Sequence, residues 1–527
     1  METIVSYSIT TLHNVLLDSN EKVKTQLRKM GAIHQMIPLL AINQNVKFLS
    51  ILVDCLQILT YSNNEAKQLV LELNGTQALV NLLLNASHYQ KLLLNLTRLL
   101  KVLSTCNANK QALVGFNAIQ ALSMHLKPPS TSAETPSNKT TNDILNNLLI
   151  TIRNLSDSAT RMNGLEGLVQ ATIQIMSATN DFSVCTIAAG ILSNLTCNNE
   201  SNKKTAVKSN AIPILLRIIQ SNLVVHNKQI FNLVEPSICA LRHITNRHAD
   251  MLLAHEQVRS INGLNVISQF MCSQPRSWPC IKATLGLVRN FCSNQLNAQQ
   301  IRANGVIEKL MQILYDAYTE IQNRTNNGMS VTNLNNVVVK VDDVNLMDIV
   351  DACSAALLVL AKEYQNQVLM KDLECISFFI HMFFSPLPVV QKAAVCLLAE
   401  ISASKECSEV IEQFPGLNQF IQANFCNQFG ALKTLAEVST NSNPHATVIL
   451  QHVTTLMQRI QEHKSQRAYA QQQQQQQRNT FQPFPQQQVG AQPQPAPQQD
   501  QFGMYYGQAN MQYQGQQQYP VNPNQFF

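Results

Sequence analysis

The sequence is poor in charge: Asp, Glu, Lys and Arg make up 13% of its 527 residues, about half the usual ~25%. Its net charge is only +6, and no base-stacking module accompanies it, which argues against direct nucleic-acid binding. There is one tryptophan among 16 glycines and 19 prolines. No GxxxxGK[ST] loop, GxSxG elbow or GxGxxG fingerprint occurs, so nothing points to an enzyme. No run reaches the ~18 uninterrupted apolar residues that membrane insertion requires. The opening METIVSYSITTLHN lacks the basic and apolar regions of a signal peptide. The 13 cysteines stand singly, mostly inside apolar helical phrases, where a free thiol behaves as a small hydrophobe. This usage predicts a reduced, intracellular protein without disulfides. His243, His248 and His255 lie close in sequence, but no cysteine or carboxylate set completes a metal-ligand spacing. Neither metal nor cofactor is expected.

What is present is one phrase that keeps returning. LHNVLLDSNE from Leu12, LQILTYSNNE from Leu56, LKVLSTCNANK from Leu100 and IRNLSDSAT from Ile152 are variants of one another. LSNLTCNNE from Leu192, LRHITNRH from Leu241 and VRNFCSNQ from Val288 continue the series. The third residue of each phrase serves as a marker: Asn14, Ile58, Val102, Asn154, Asn194, His243 and Asn290. Their spacing of about 40–52 residues, carried by helical segments, is the signature of HEAT or armadillo arrays. The fold class is therefore all-α, a solenoid of helical repeats. Its 45% apolar content suffices for a continuous core, and its function narrows to holding other proteins.

Two physical regimes follow along the chain. Residues 1–464 read as the array, about nine to ten repeats with the first incomplete. Residues 465–527 are rich in glutamine and proline with almost no aliphatic residues, which predicts a disordered tail. Polar insertions near 127–142 and 323–345, and a milder one around 220–232, are expected to be loops. Each repeat reads as a short helix followed by two longer ones. The marker falls near the C-terminal end of the last, so successive markers should line one ridge on the concave face.

Asn14, Asn154, Asn194 and Asn290 recur at the marker, with His243 substituting once. An amide offers both a donor and an acceptor, so a column of amides can hydrogen-bond an extended peptide backbone. Beside them stand Lys47, Lys67, Lys91, Arg98, Lys101, Arg153, Lys203, Arg242, Arg247, Lys282 and Arg289, with few acidic residues at corresponding places. The pattern describes a groove for an extended acidic polypeptide. Taken singly, each asparagine could equally cap a helix and each cation could be a solvated surface charge. Recurrence in register favours binding.

YSITTLHN (Tyr7 to Asn14), NVKFLSILVDCLQILTYSN (Asn45 to Asn63) and RNLSD (Arg153 to Asp157) are specific stretches. So, still more, are AAGILSNLTCNN (Ala188 to Asn199), EPSICALRHITNRH (Glu235 to His248) and WPCIKATLGLVRN (Trp278 to Asn290). Together they resemble the beta-catenin family of armadillo proteins, which implies an all-α, armadillo-repeat right-handed superhelical solenoid. The resemblance runs from Met1 to about Ile460 and is weak after about Lys405. It implies an adaptor binding cadherin tails, T-cell factors, axin and adenomatous polyposis coli-type ligands in one basic groove. It implies roles in Wnt signalling, transcriptional coactivation and cell–cell adhesion, in cytoplasm, nucleus and cell–cell junctions. It also implies that Lys67 and Lys203 pair with ligand carboxylates. Asn194, Arg153, His243, Arg247, Lys282, Arg289, His13, Asn14 and Lys101 match the family's groove too.

Departures accompany these matches. Ile150 and Leu94 stand where the family has tryptophans, and Leu358 where it has a histidine. Lys362 and Lys392 replace arginines, losing the guanidinium fork that grips a carboxylate with two bonds. The chain begins in what resembles the last helix of the family's third repeat, so the alpha-catenin-binding helix and the serine-rich phosphodegron are not expected. The alternative is a degenerate or decoy paralogue, or an incomplete gene product, that binds partners without coupling to actin or transcription.

Overall fold

A computed structural model describes residues 2–18, 20–42, 45–128, 139–223, 228–273, 277–326, 338–426, 433 and 445–480. The chain divides into two compact units, Met1–Arg467 and Ala468–Phe527. Of the second, residues 468–480 are described and are helical.

The first unit is a stack of three-helix repeats. Helix α1 (Glu2–Leu17) carries the first marker and packs on α4 of the next repeat. That repeat comprises α2 (Glu21–Lys29), α3 (Ala32–Ile42) and α4 (Val46–Thr60). Next come α5 (Asn64–Glu72), α6 (Gly75–Leu84) and α7 (Gln90–Leu103), then α8 (Asn107–Gly115), α9 (Ala118–Ser123) and α10 (Lys139–Ser156). Helices α11 (Glu166–Ala178) and α12 (Phe182–Thr196) form a repeat whose first helix is replaced by turns, a departure from the expected three. The array continues with α13 (Glu200–Lys208), α14 (Ala211–Ser221) and α15 (Phe231–Ile244), then α16 (Met251–Ser260), α17 (Gly263–Cys272) and α18 (Trp278–Cys292). Helices α19 (Gln295–Ala303), α20 (Val306–Asn326) and α21 (Leu346–Leu360) follow, then α22 (Tyr364–Asp372), α23 (Cys375–Phe383) and α24 (Pro388–Ile401). The last described are α25 (Lys405–Gln413), α26 (Leu417–Phe425) and α27 (Ala446–Thr480).

The final helices of successive repeats, α4, α7, α10, α12, α15, α18, α21 and α24, pack one on the next. These helices touch neighbours on both sides, so most of their surface must be apolar or small. Helix α12 shows how: Cys185, Ala188, Ala189, Gly190, Ile191, Leu192 and Leu195 are all buried. Its polar Ser193 and Asn194 fall on the remaining stripe.

Ten of the asparagines that replace charge in the composition shape the chain. Asn20, Asn45, Asn63, Asn199, Asn294 and Asn345 cap helices, their side chains accepting from backbone N–H groups of the first turn. Asn74, Asn117, Asn210 and Asn262 take left-handed φ values of 57–60° just before the second helix of their repeats. Asparagine tolerates that region better than other side chains.

Two expectations are corrected. The glutamine-rich segment does not leave the helix at residue 465, since α27 runs to Thr480. Ile449, Leu450, Val453, Leu456 and Ile460 anchor its start in the core. Arg467 pairs with Glu412 and with Glu409 (3.6 Å), and Lys464 with Glu412 (3.4 Å). From an anchored nucleus each further Gln, Ala or Arg adds one hydrogen bond with good helix propensity. The rest of the expected tail, 481–527, lies outside the described residues. The insertion near 323–345 is also not all loop, because α20 extends to Asn326 and a hairpin follows. It pairs Lys340 with Asn345 and Val341 with Val344 across Asp342 and Asp343, both at positive φ, as a two-residue primed turn requires. Of the other insertions, 129–138 and 224–227 lie outside the described residues, while 139–142 already belong to α10.

Candidate functional site

Four of the markers, from Asn154 onward, form a hydrogen-bonded ladder across the stacked last helices. Asn154 Nδ2 donates to Ser104 Oγ at 3.0 Å, one repeat back. Asn194 meets Ser156 Oγ at 2.9 Å. His243 Nδ1 lies 3.0 Å from the Ser193 carbonyl, and Asn290 Nδ2 donates to the Arg242 carbonyl at 2.9 Å. Each marker therefore spends part of its capacity tying its repeat to the preceding one. The Asn194 amide is best satisfied with Oδ1 facing Arg153 Nη1 (2.7 Å), Ser156 Oγ (2.9 Å) and Asp157 N (3.3 Å). That orientation leaves its NH2 group to donate to a ligand. Asn14 is exposed at the end of α1.

One residue before the marker, Arg153 and Arg242 lie across glycines of the next helix. A Cβ added to Gly190 would overlap Arg153 Nε, and one on Gly286 would come within 2.7 Å of Arg242 Cδ. The bare backbone is the bed on which each guanidinium stem rests. The same position holds Asp54 beneath His13, with His13 Nε2 2.9 Å from the carboxylate. At Lys101 it holds Ile150, and the ammonium turns instead to Asn147 Oδ1 at 2.6 Å. Gly190→Ala is expected to leave folding stability within about 1 kcal/mol of the parent, since alanine favours the helix interior by about that much. It should nonetheless weaken acidic-peptide binding several-fold by dislodging Arg153. Thermal unfolding and peptide titration of the same sample check this.

A second column comes from the short first helices. Lys67 and Lys203, both under 10% exposed, reach the end of their own repeat's last helix, three residues past its marker. Lys67 Nζ donates to Thr105 Oγ1 and Lys203 Nζ to the Asn246 carbonyl, each at 2.8 Å. Burial, with Arg247 alongside, lowers the Lys203 ammonium pKa. Arg247 is exposed and sits at φ 52°, an uncommon conformation for a long side chain. Lys110 belongs to this column and was not among the expected residues. Its position, four residues past the helix cap as in Lys67 and Lys203, was readable from the sequence. Its Nζ lies 3.0 Å from Asp157. Although burial works against it, the Lys110 bond and charge hold the Asp157 carboxyl below its ordinary value.

Three expectations change. His243 does not carry charge to a ligand carboxylate. Burial, reinforced by the Arg242 guanidinium, pulls its pKa down to about 4, so it is neutral at pH 7. With Nδ1–H donating to Ser193, Nε2 accepts from Arg242 Nη2 at 3.3 Å, and the imidazole steers that arginine. Acidic residues are also less scarce than expected: Asp54, Asp143 and Asp348 face His13, Arg98 and Lys282 at 2.9, 3.8 and 2.7 Å. Lys47 sits in the first turn of α4, about three turns from its marker and away from the ladder. The structure brings together Arg153, Asn154, Asn194, Lys203, Arg242, His243, Arg247, Arg289 and Asn290 on adjacent repeats. Among the described residues Arg153, Lys203, Arg242, Arg247 and Arg289 have no carboxylate at ion-pair distance, and Glu200 nearby belongs to Lys204 (3.0 Å).

No helix among the described residues is long and apolar enough to cross a membrane, and no cluster there could hold a metal ion. No protein-family model matches the chain. Catenin beta of Urechis caupo is 39% identical over 413 residues, covering 78% of this chain and 47% of that protein. Human junction plakoglobin is 36% identical over 412 residues, covering 78% and 52%. The armadillo segment polarity protein of Musca domestica is 40% identical over 306 residues, covering 58% and 35%. The chain thus spans about half the length, or less, of these relatives. A solved structure from work on a phosphorylation switch controlling the interaction between cadherin and beta-catenin superposes with a TM-score of 0.70. Its identity is 25%, over 88% of this chain and 82% of that one. Repeat geometry, marker ladder and these likenesses agree: the chain is an armadillo-repeat protein homologous to the beta-catenin and plakoglobin proteins.

Proposed function

We propose that the chain is an adaptor holding an extended acidic polypeptide, of the cadherin-tail kind, across α10, α12, α15 and α18. The observation that carries this is the run of cations without carboxylate partners, set beside amides with donors to spare. Backbone hydrogen bonds from Asn154, Asn194 and Asn290 would fix the peptide's path. Arg153, Lys203, Arg242, Arg247 and Arg289 would face its carboxylates. Exposed ion pairs contribute only about 0–1 kcal/mol each, so affinity is spread over several repeats and charge mainly sets encounter rate and partner choice. The relation to a cadherin–beta-catenin structure favours a cadherin-type ligand. T-cell factor, axin and adenomatous polyposis coli-type segments share the required chemistry. This reading places the protein at cell–cell junctions and in the cytoplasm, with a nuclear, Wnt-dependent role for the T-cell factor arm.

The test is fluorescence anisotropy of a labelled cadherin-tail peptide and a T-cell factor N-terminal peptide, each titrated with the full chain at two salt concentrations. Saturable binding that weakens several-fold from 50 to 200 mM salt, over which the Debye length roughly halves, is expected for at least one. The stronger ligand assigns the principal role. If neither peptide binds, the adaptor reading fails.

A further inference from the structure

The cations of the ladder face are not all available, and the pattern of those already engaged is ordered along the stack. On the N-terminal side, His13 is paired with Asp54, Arg98 with Asp143 and Lys110 with Asp157, while Lys67 and Lys101 donate to the neutral Thr105 and Asn147. On the C-terminal side, Lys282 is paired with Asp348 at 2.7 Å and Lys392 with Asp351 at 2.5 Å, both carboxylates standing on α21. From α10, with Asp157 one turn past Arg153, up to α21 lie Arg153, Lys203, Arg242, Arg247 and Arg289. None of these has a carboxylate partner among the described residues. The carboxylates stand on the last helices of the stack or just past their ends, each occupying a place a ligand carboxylate would otherwise take.

We propose that these intrachain aspartates bound a central cationic window, which selects a short acidic segment flanked by uncharged or basic residues rather than a long acidic tract. This rests on the adaptor reading above and specifies its ligand. Stacked helices lie roughly 8–10 Å apart, so the three steps from α10 to α18 cover about 24–30 Å. An extended peptide rises about 3.3 Å per residue, and roughly eight residues therefore span the window. Beyond it, an acidic side chain would meet Asp157 on one side or Asp348 and Asp351 on the other. It would have to displace an existing pair for little net gain, or repel the carboxylate directly. A lysine or arginine there meets the same aspartates favourably. The window thus discriminates by repulsion at its edges as well as attraction at its centre.

Three peptides test this on the full chain. Each contains the same eight-residue acidic core, flanked by Gly-Ser, by Asp or by Lys repeats. With the parent protein, the Asp-flanked peptide should bind no more than about twofold tighter than the Gly-Ser one, and the Lys-flanked peptide at least as tightly as either. With Asp157→Asn, Asp348→Asn and Asp351→Asn combined, the Asp-flanked peptide should gain about tenfold over the Gly-Ser peptide. A tenfold advantage for acidic flanks in the parent overturns the proposal. So does a triple variant, folded by circular dichroism, that shows no gain. Failure of all three peptides to bind overturns the adaptor reading itself, and the window with it.

Discussion

Reversing two central charges, Arg242→Glu with Arg247→Glu, should weaken binding of an acidic peptide by about 100-fold. Both belong to the uncompensated set, and both lie on the same turn-and-helix segment beside Lys203. Each reversal removes an attraction and installs a repulsion, and losing one partner of a desolvated charge pair costs about 2–5 kcal/mol. Arg242 is half-buried and Arg247 exposed, so each falls below that range, and about 1.4 kcal/mol per site, tenfold each, is the expected scale for a reversal. Lys203→Glu is less clean. Its ammonium donates to the Asn246 carbonyl, and a carboxylate there would face an acceptor and disturb the fold. Reversing exposed lysines away from the ladder, Lys22→Glu with Lys340→Glu, should change affinity no more than twofold. Equal losses in the two double variants would mean that net charge rather than the ladder binds the ligand.

The second large effect is on stability, through histidine. His243 is depressed from 6.5 to about 4, by burial first and then by Arg242. Burial also lowers His248 and His255, and His255 Nε2 meets the Thr245 carbonyl at 2.9 Å. A depressed imidazole binds fewer protons in the folded state than in the unfolded one. As pH falls from about 6.5 toward 4 the unfolded state gains protons that the folded state refuses, so stability falls. Above 6.5 the two states bind alike and stability is flat. At 1.36 kcal/mol per pH unit, His243 alone should cost about 2 kcal/mol between pH 7.5 and 4.8. Urea unfolding at those two pH values measures it. His243→Asn, which installs the residue found at four other markers, should remove that part of the slope. An unchanged slope in the variant would show that His243 is not the half-buried neutral group described above.

The sequence made some of this legible and hid the rest for physical reasons. Repeat period and marker column were visible because stacked helices demand the same small and apolar residues at the same places. Asn154, Asn194 and Asn290 were found that way. Gly190 and Gly286 could be read as packing glycines, but their role as beds for Arg153 and Arg242 depends on how far each helix is rotated against the next. The Asp54, Asp143 and Asp348 pairings were hidden for a similar reason, each joining residues a whole repeat or more apart. His243 looked like a charge because a sequence does not show burial. Lys110 could have been found, since its offset from the helix cap equals that of Lys67 and Lys203. The helix continuing to Thr480 was missed because composition suggested disorder, whereas an anchored start lets glutamines propagate a helix.

Hydrogen–deuterium exchange with and without a saturating acidic peptide tests the central claim most directly. The account predicts new protection at the C-terminal ends of α10, α12, α15 and α18 and around Lys203 and Arg247, with none in α3, α6 or α23. Protection centred on those outer helices, or spread evenly over the array, would contradict it.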